Sequence, residues 1–314
     1  MNNPPKVSVI ILSWNRKEDT LQTIRSLAKT EIKNFILEIY VVDNGSSDGS
    51  QTAIKKLLKD IQKSPRLLTK ITNNKENLGF AEGNNVGIRS ALARGFDYIA
   101  LLNDDTVVGP DLISNILKEH ERRPHVGAIS PKIYFAKGFE FKKRYKKEDL
   151  GKVIWYAGGD IDWKNIYGSN HGVDEVDRGQ FEEERETGFA TGCFVMYKRK
   201  ALKEVGLYDK RYFAYMEDAD HAQRLKKAGW QVIYSPKGHL WHKVSQSSGI
   251  GSELNDYFLT RNRMLFGLKH ASLRAKQALV RESFRLLLNG RKWQRIGIRD
   301  FYLRKFGKGS WGKK

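Results

Sequence analysis

The chain has 314 residues, 40% of them apolar and 11% aromatic, which excludes a disordered protein and leaves room for one large domain or two small ones. Its formal charge is +20, from 56 basic and 36 acidic side chains, so a phosphate-bearing partner enters the reading at once. No apolar run is long enough to span a membrane, and the apolar stretch after residue 6 has no basic segment before it, so neither a membrane helix nor a signal peptide is expected. The lone Cys193 excludes an internal disulfide framework and suits a reducing cytosol.

Residues 7–12 (VSVIIL) read as a short β-branched strand stopped by Ser13-Trp14-Asn15-Arg16, and a helix is expected over 17–28. Residues 37–42 (LEIYVV) predict a second strand. The turn-rich segment from Asp43 to Ser50 follows and should cap a helix reaching about residue 60. A weaker strand is expected over 67–72. The segment from Asn77 to Gly87 then leads into a helix ending near 94. Residues 98–102 are uninterrupted apolar chain and stop abruptly at Asn103-Asp104-Asp105, as a strand buried on both faces would. A helix over 110–121 and a strand over 126–130 complete an alternation with short connections, and no internal repeat is present. This predicts right-handed crossovers and a mostly parallel sheet flanked by helices, an α/β fold.

Beyond Pro131 the pattern changes. Residues 137–147 are basic and aromatic, and 155–177 are rich in Gly, Asp and aromatics, which suggests an insertion or meander beside the sheet. Strand character returns over 187–197 (TGFATGCFVMY), and 200–205 look like a short helix. Residues 216–229 predict a helix with Ala219, Ala222, Leu225 and Ala228 on one face and Gly229 as its stop. A strand over 231–234 precedes His239-Leu240-Trp241-His242. From about residue 253 the chain reads as basic amphipathic helices, clearest over 279–288. From Arg261 to the end, 16 Lys and Arg face 2 Asp and Glu, which points to an anionic membrane surface or a nucleic acid, or else to a solvated tail.

Three successive strands end in polar groups, at Ser13/Asn15, at Asp43, and at Asn103/Asp104/Asp105. In a parallel sheet all three lie on the edge where ligands bind. Neighbouring carboxylates are costly unless a cation sits beside them, so a hard divalent ion is one reading of Asp104-Asp105, and a solvated turn is the other. Asp43 before Asn44-Gly45 is either a turn or an acceptor for a base imide N–H. The acids Glu217-Asp218-Ala219-Asp220 suit a helix start, with Asp220 pairing Arg224, or place a general base across a cleft from a bound phosphate. His242, in preference to His239, could add an imidazole to a carboxylate metal site. Cys193 reads as a small buried residue. There is no GxxxxGK[ST], HExxH or CxxC, and Gly79, Gly83 and Gly87 have the wrong spacing for a dinucleotide fingerprint.

The segments VSVIILSWNR, VVDNGSSDGS, NLGFAEGNNVGI, LLNDDTVVGPDL, TGCFVMYKRKALKEVGLYD, YFAYMEDADHAQRLKKAG and HLWHKVSQSSG occur in an order that resembles the family 2 glycosyltransferases, inverting enzymes of the GT-A fold. The branch it resembles is the rhamnosyltransferase-like group of polysaccharide and cell-surface glycan assembly. The resemblance implies a GT-A domain over 1–250, with a donor-nucleotide half over 1–110 and an acceptor half over 111–250, followed by a basic helical extension over 251–314. It implies that Asp43 binds the nucleobase with Asn15 near it, and that Asn77, Gly79 and Asn85 line the nucleotide pocket. Asn103-Asp104-Asp105 stands where the family has DxD, with Asp105 and His242 as ligands to Mn2+ or Mg2+; the first acid is Asn103 here, which leaves the role of Asp104 open. Asp218 would be the catalytic base and Glu217 would position the acceptor. The implied donor is a dTDP- or UDP-sugar, dTDP-rhamnose foremost. The implied acceptor is a glycan or lipid-linked glycan, met at the cytoplasmic membrane face by a basic tail whose Arg281, Arg285, Arg291, Lys292, Arg295 and Arg299 accompany Leu286, Leu287, Leu288 and Trp293. No nucleic-acid partner is expected. A sugar-nucleotide nucleotidyltransferase would show a Gly-rich loop after the first strand, and SWNRKEDT has no glycine. A non-catalytic polyanion binder would leave both acidic clusters without a role.

Overall fold

The computed structural model describes residues 3–141, 145–244 and 252–312. Its first half alternates as the apolar runs require: β1 (Lys6–Ser13), α1 (Lys17–Leu27), β2 (Ile36–Asp43), α2 (Ser50–Ile61), β3 (Leu67–Asn73), α3 (Gly79–Ala93) and β4 (Tyr98–Asn103). The four strands are parallel in the order β3-β2-β1-β4, and nearly every side chain of β1, β2 and β4 is buried. The registers Ser13↔Asp43 and Leu12↔Asn103 put the three polar strand ends side by side, as expected.

Helix α3 lies unusually close to β1. A Cβ on Gly83 would come 2.6 Å from Leu12 and one on Gly87 2.6 Å from Ile10. The i, i+4 glycines that failed as a dinucleotide fingerprint therefore form the contact face of a helix pressed onto the sheet.

The second half adds β5 (Thr106–Val108), α4 (Leu112–Arg122), β6 (Val126–Phe135), β7 (Ile154–Tyr156), β8 (Gly159–Asp162), β9 (Tyr167–Asn170), β10 (Arg185–Glu186), β11 (Phe194–Lys198), α5 (Arg199–Val205), α6 (Glu217–Lys227) and β12 (Gln231–His242). β11 runs antiparallel between β4 and β6, and β12 continues the sheet parallel to β6, so the sheet is mixed. The expected meander over 155–177 is present as β7 on the edge of β6 and the β8–β9 hairpin.

Several boundaries differ from expectation for physical reasons. The strand expected to stop at Ser130 runs on through Pro131, because the β6–β12 register breaks at Ser235/His239, where the missing proline N–H is not needed. The same bulge lets β12 continue to His242. Only 194–198 of the strand expected over 187–197 pair; 187–193 instead form a loop over the strand ends, with Asn103 N donating to Cys193 O at 3.0 Å. Ala228 is exposed, unlike Ala219, Ala222 and Leu225 on the same helix.

The C-terminal region is a bundle of α7 (Glu253–His270), α8 (Leu273–Asn289) and α9 (Lys292–Tyr302), with Ser252 and Ser272 capping the first two. Part of its charge is internal. Arg261 is fully buried, Arg263 pairs Glu282 at 2.7 Å, and Lys269 reaches Asp220 at 2.7 Å. Leu286 and Leu287 turn into the bundle, and Trp293 packs against Tyr257 and Trp311. Of the expected apolar face only Leu288 is exposed; it is joined by Leu273 and Phe284 on α8 and by Tyr302 and Leu303. No helix among the described residues is long and apolar enough to cross a membrane.

Candidate active site

A cavity of about 650 Å³ opens at the carboxyl edge of the sheet. Trp14 and Arg16 after β1, Asn44 after β2, Asn77 and Gly79 before and at the start of α3, and Asn103, Asp104 and Asp105 after β4 form one side. Thr191, Gly192 and Cys193 before β11, Glu217 and Asp218 at the start of α6, and His242 at the end of β12 form the other.

The nucleotide side is held by side chain–backbone bonds. Asp43 is fully buried. Its Oδ1 accepts from Gly45 N, Ser46 N and Gln51 Nε2, while its Oδ2 has no partner. The turn reading of Asp43 is met by Oδ1; neither Asp43 nor Asn15 is among the residues that line the cavity. Asn15, at φ 53, accepts from Ser47 N at 2.8 Å and so ties the β1 end to this turn. Asn44 bridges Asn77 Oδ1 at 2.9 Å and Gly79 O at 3.2 Å. Gly79 needs its lack of a side chain: its φ is +81, and a Cβ would meet Phe213 at 2.5 Å. Asn85 is not brought to this cavity. It is buried against the Tyr208 backbone, donating to Tyr208 O at 2.9 Å and accepting from Tyr208 N at 3.0 Å.

Asp105 and His242 meet through an element the sequence did not disclose. The three residues of β5 pair antiparallel with β12 at His242↔Thr106, which sets the imidazole beside the neighbouring Asp105. His242 Nε2 lies 3.0 Å from Asp105 Oδ1, and Arg16 Nη1 lies 2.8 Å from Asp105 Oδ2. Burial opposes the charge on Asp105, yet His242 and Arg16 outweigh it and hold the carboxyl below its usual range. Burial also opposes the charge on His242, and its Cys193 and Asp105 neighbours outweigh that, raising it to about 10. Asp104, buried and beside Asp105, is pushed up to about 8. Trp155 closes over His242, ring centroids 4.7 Å apart. His239 stays outside the cavity, edge-on to Trp241 at 4.8 Å.

Across the cavity, Asp218 Oδ2 accepts from Gly192 N at 3.0 Å and Oδ1 from Ala219 N at 2.7 Å. Glu217 is buried, and its Oε2 has no partner. Burial raises both acids, and the charge of Asp218 raises Glu217 further, so Glu217 is the member that keeps its proton. Asp220 points away and serves as structure, pairing Arg224 at 2.9 Å and His270 at 2.8 Å. Sequence reasoning assigned no role to Arg16, Trp14 or Trp155. Trp14 had a signal, a large aromatic at a strand end, and it stands 51% exposed at the cavity. Trp155 and the α7 residues Leu254 and Leu259 had none, because only the tertiary fold brings them to the wall.

The Glycosyl transferase family 2 model matches residues 8–206, more than half of the chain. The chain belongs to glycosyltransferase family 2. It is 27% identical over 220 residues to the N-acetylglucosaminyl-diphospho-decaprenol L-rhamnosyltransferase of Mycobacterium tuberculosis, covering 68% of each chain. It is 24% identical over 245 residues to the poly-beta-1,6-N-acetyl-D-glucosamine synthase of Staphylococcus epidermidis, covering 77% of this chain and 51% of that one. Among solved structures, GalNAc-T7 with UDP, GalNAc and Mn2+ superposes at a TM-score of 0.61 and 16% identity over 91% of this chain and 57% of that one. The mannosyltransferase PcManGT of Pyrobaculum calidifontis, in complex with GDP-Man and Mn2+, superposes at 0.55 and 16% identity over 99% and 88%. These two likenesses are of fold, the GT-A glycosyltransferase fold, and the chain is a glycosyltransferase with relatives in polysaccharide and cell-wall assembly.

Proposed function

We propose that this glycosyltransferase is a metal-dependent, inverting enzyme that moves a sugar from a nucleoside-diphosphate donor to a lipid-linked glycan. L-Rhamnose from dTDP-rhamnose is the leading donor. What supports the reading is that one cavity is lined both by the Asp105–His242 carboxylate–imidazole pair and by the adjacent acids Glu217 and Asp218. The name of the mycobacterial relative supports the rhamnosyl donor and the polyprenyl-diphosphate acceptor.

The residues fit a divalent ion. Asp105 Oδ1 and His242 Nε2 are buried 3.0 Å apart, a carboxylate and a nitrogen that would hold one Mn2+ or Mg2+ once the imidazole gives up the proton that their pairing favours. Among the described residues no group of three or more His, Cys, Asp and Glu could hold a metal, so donor phosphates and water would complete the shell. Such an ion supplies positive charge against the developing nucleoside diphosphate. The Arg16 guanidinium stands beside Asp105 as a second positive group. Exposed Trp14 offers a face for the base, and Asp43 Oδ2, unpartnered but buried outside the cavity lining, is the acceptor assigned to the base imide N–H, which it would meet only after local rearrangement. Asp218, whose oxygens accept from two backbone N–H groups that oppose the effect of burial, takes the proton from the acceptor hydroxyl as that oxygen attacks the anomeric carbon from the face opposite the diphosphate. Protonated Glu217 donates to an acceptor oxygen. With one carboxylate acting on the nucleophile and no covalent sugar–enzyme bond, the configuration inverts.

The cavity wall toward Phe189, Phe213, Leu254 and Leu259 is apolar, which suits an acceptor carrying a lipid. The same acceptor explains the exposed face of α8. Leu273, Phe284 and Leu288 form one helical stripe, Phe284 stacks on Tyr302 at 6.1 Å, and Arg274, Arg281 and Arg285 are exposed around them. This face would rest on an anionic membrane, with the protein peripheral at its cytoplasmic side. Truncation near Ala271 would strip α7 of its packing partners, so point changes test the idea better. Arg281→Glu with Phe284→Ser should abolish sedimentation with anionic vesicles while leaving transfer to a soluble acceptor analogue intact; equal sedimentation refutes it.

The function is tested by thermal shift with nucleoside diphosphates and sugar nucleotides, each with and without Mn2+ or Mg2+. A shift with dTDP or UDP that needs the metal and vanishes in Asp105→Ala, followed by transfer with inversion, is expected. Retention of configuration in the product rules the mechanism out.

A further inference from the structure

The loop that delivers Glu217 and Asp218 is unusual in its backbone. Tyr215 and Met216, the two residues before the pair, both stand at φ +71, a left-handed conformation that non-glycine residues avoid. Two such residues in succession persist only where the surroundings over-determine them, and they set the direction in which α6 starts.

The surroundings come from the C-terminal bundle. Asn262 of α7 is fully buried, and its Nδ2 donates to Ala214 O at 2.7 Å and to Tyr215 O at 3.0 Å. Its Oδ1 accepts from Arg261 Nε at 3.1 Å. Arg261 in turn donates to Arg211 O at 3.3 Å and to Gly307 O at 2.7 Å, and Gly307 N closes the ring on Arg211 O at 3.0 Å. From the donor side, Phe80 N at the start of α3 donates to Phe213 O at 2.6 Å, and the Phe213 ring stacks on Phe258 of α7 at 5.2 Å. The loop is clamped between the helix that forms the nucleotide wall and the helix that follows the catalytic fold. Among the described residues Asn262 is the side chain that donates to both the Ala214 carbonyl before the left-handed turn and the Tyr215 carbonyl within it. A planar amide with two N–H donors fits that task; Asp offers no donor and Ser offers one.

We infer that Asn262 is a positioning residue for the catalytic base: it holds the Tyr215–Met216 turn, and through it aims Asp218 at the acceptor hydroxyl. The inference rests on the proposed role of Asp218. It makes the basic C-terminal region part of the catalytic unit, independently of any membrane contact.

The test is a double-mutant cycle on the full chain, with turnover measured at saturating donor. Asn262→Ala and Asn262→Ser should each lower kcat on the order of 10- to 100-fold, the cost of a base displaced by about 1 Å, while donor KM and the nucleotide thermal shift stay within about twofold of wild type. In Asp218→Asn, where no base remains to be aimed, adding Asn262→Ala should lower the residual turnover by less than about threefold. An equal loss in both backgrounds, or a loss of nucleotide binding that accompanies the loss of kcat, makes Asn262 a general support of the fold and overturns the inference alone. Full activity in Asp218→Asn by itself overturns the base assignment and this inference with it.

Discussion

Which of two adjacent buried acids is the base can be decided by paired amide substitutions. Asp218 accepts two backbone N–H bonds, from Gly192 and Ala219, whereas Glu217 Oε2 is buried without a partner. A hydrogen bond to a charged group contributes roughly 1.5–3 kcal/mol, so the two N–H groups offset part of the burial that raises Asp218, whereas Glu217 is raised both by burial and by the charge of Asp218; Asp218 is therefore the acid that gives up its proton first. Glu217, raised by burial and by the Asp218 charge, is the acid that holds its proton longer, and Glu217→Gln is close to an isostere of that protonated form. That variant should lose less than about tenfold in kcat. Asp218→Asn removes the base, which is worth about 10²–10⁴-fold. It also turns an amide N–H toward a backbone N–H, which should lower stability by about 1–3 kcal/mol. The assay is single-turnover transfer for both variants, beside urea melts and nucleotide thermal shifts that separate chemistry from folding. If Glu217→Gln is the more damaged of the two in turnover, the ionisation argument fails and the roles are reversed.

Asp220 has a folded-state carboxyl held below its usual range: burial opposes the charge, but His270 and Lys269 outweigh it. A depressed carboxylate contributes stability that is present above its unfolded value near pH ~4 and is lost as pH falls below it. Asp220→Asn should therefore cost about 3–5 kcal/mol at neutral pH, with the gap to wild type closing in urea melts taken from pH ~4 downward; a constant gap contradicts this. Gly79→Ala combines a left-handed φ of +81 with a Cβ placed 2.5 Å from Phe213, and should destabilise by about 2–4 kcal/mol, read as a lowered denaturant midpoint at constant slope. Arg16→Gln removes the guanidinium that competes for Asp105, so nucleotide-free protein should bind Mn2+ on the order of tenfold tighter by calorimetry, even as turnover falls; unchanged or weaker Mn2+ binding counts against the competition.

The first half of the fold was legible because each strand there is a buried apolar run that ends in turn chemistry, a local signal that a sequence carries on its surface. The edge where Ser13, Asp43 and Asn103 align followed from parallel pairing alone. The second half was less legible because its elements depend on partners far along the chain. Pro131 read as a strand end, and is tolerated inside β6 only because β12 bulges opposite it. The segment 187–193 carries the composition of a strand, but only its ends extend a ladder, Thr187 N donating to Val232 O and Cys193 O accepting from Asn103 N, while Gly192 N is taken by Asp218. Residues 142–144 of the basic stretch and 245–251 at the end of the HLWHKVSQSSG segment lie outside the described residues. The charge of the tail was only partly legible, for another reason. A charge count sums Arg261 and Arg263, which are buried and bonded, with Arg281 and Arg285, which are exposed, so composition overstates the charge available to a partner.

The site itself shows why its second ligand was the harder inference. Asp105 could be picked out as a carboxylate at a strand end, but His242 becomes its neighbour only because three residues of β5 reverse direction after Asp105 and pair with the last residues of β12. β12 reaches that far only by way of its bulge, and the bulge closes against α4, where a Cβ on Gly238 would come 2.7 Å from Leu112. The Asp105–His242 pair thus depends on the second half of the sheet, the turn before the proposed base Asp218 is bonded to α7, and the polar strand ends belong to the parallel half. A fragment ending at the family-matched residue 206 would carry Asp43 and Asp105 but neither His242 nor Asp218. The residues proposed for the metal, His242 and Asp105, and for the base, Asp218, therefore come from different parts of the chain, and the fold brings them to one cavity.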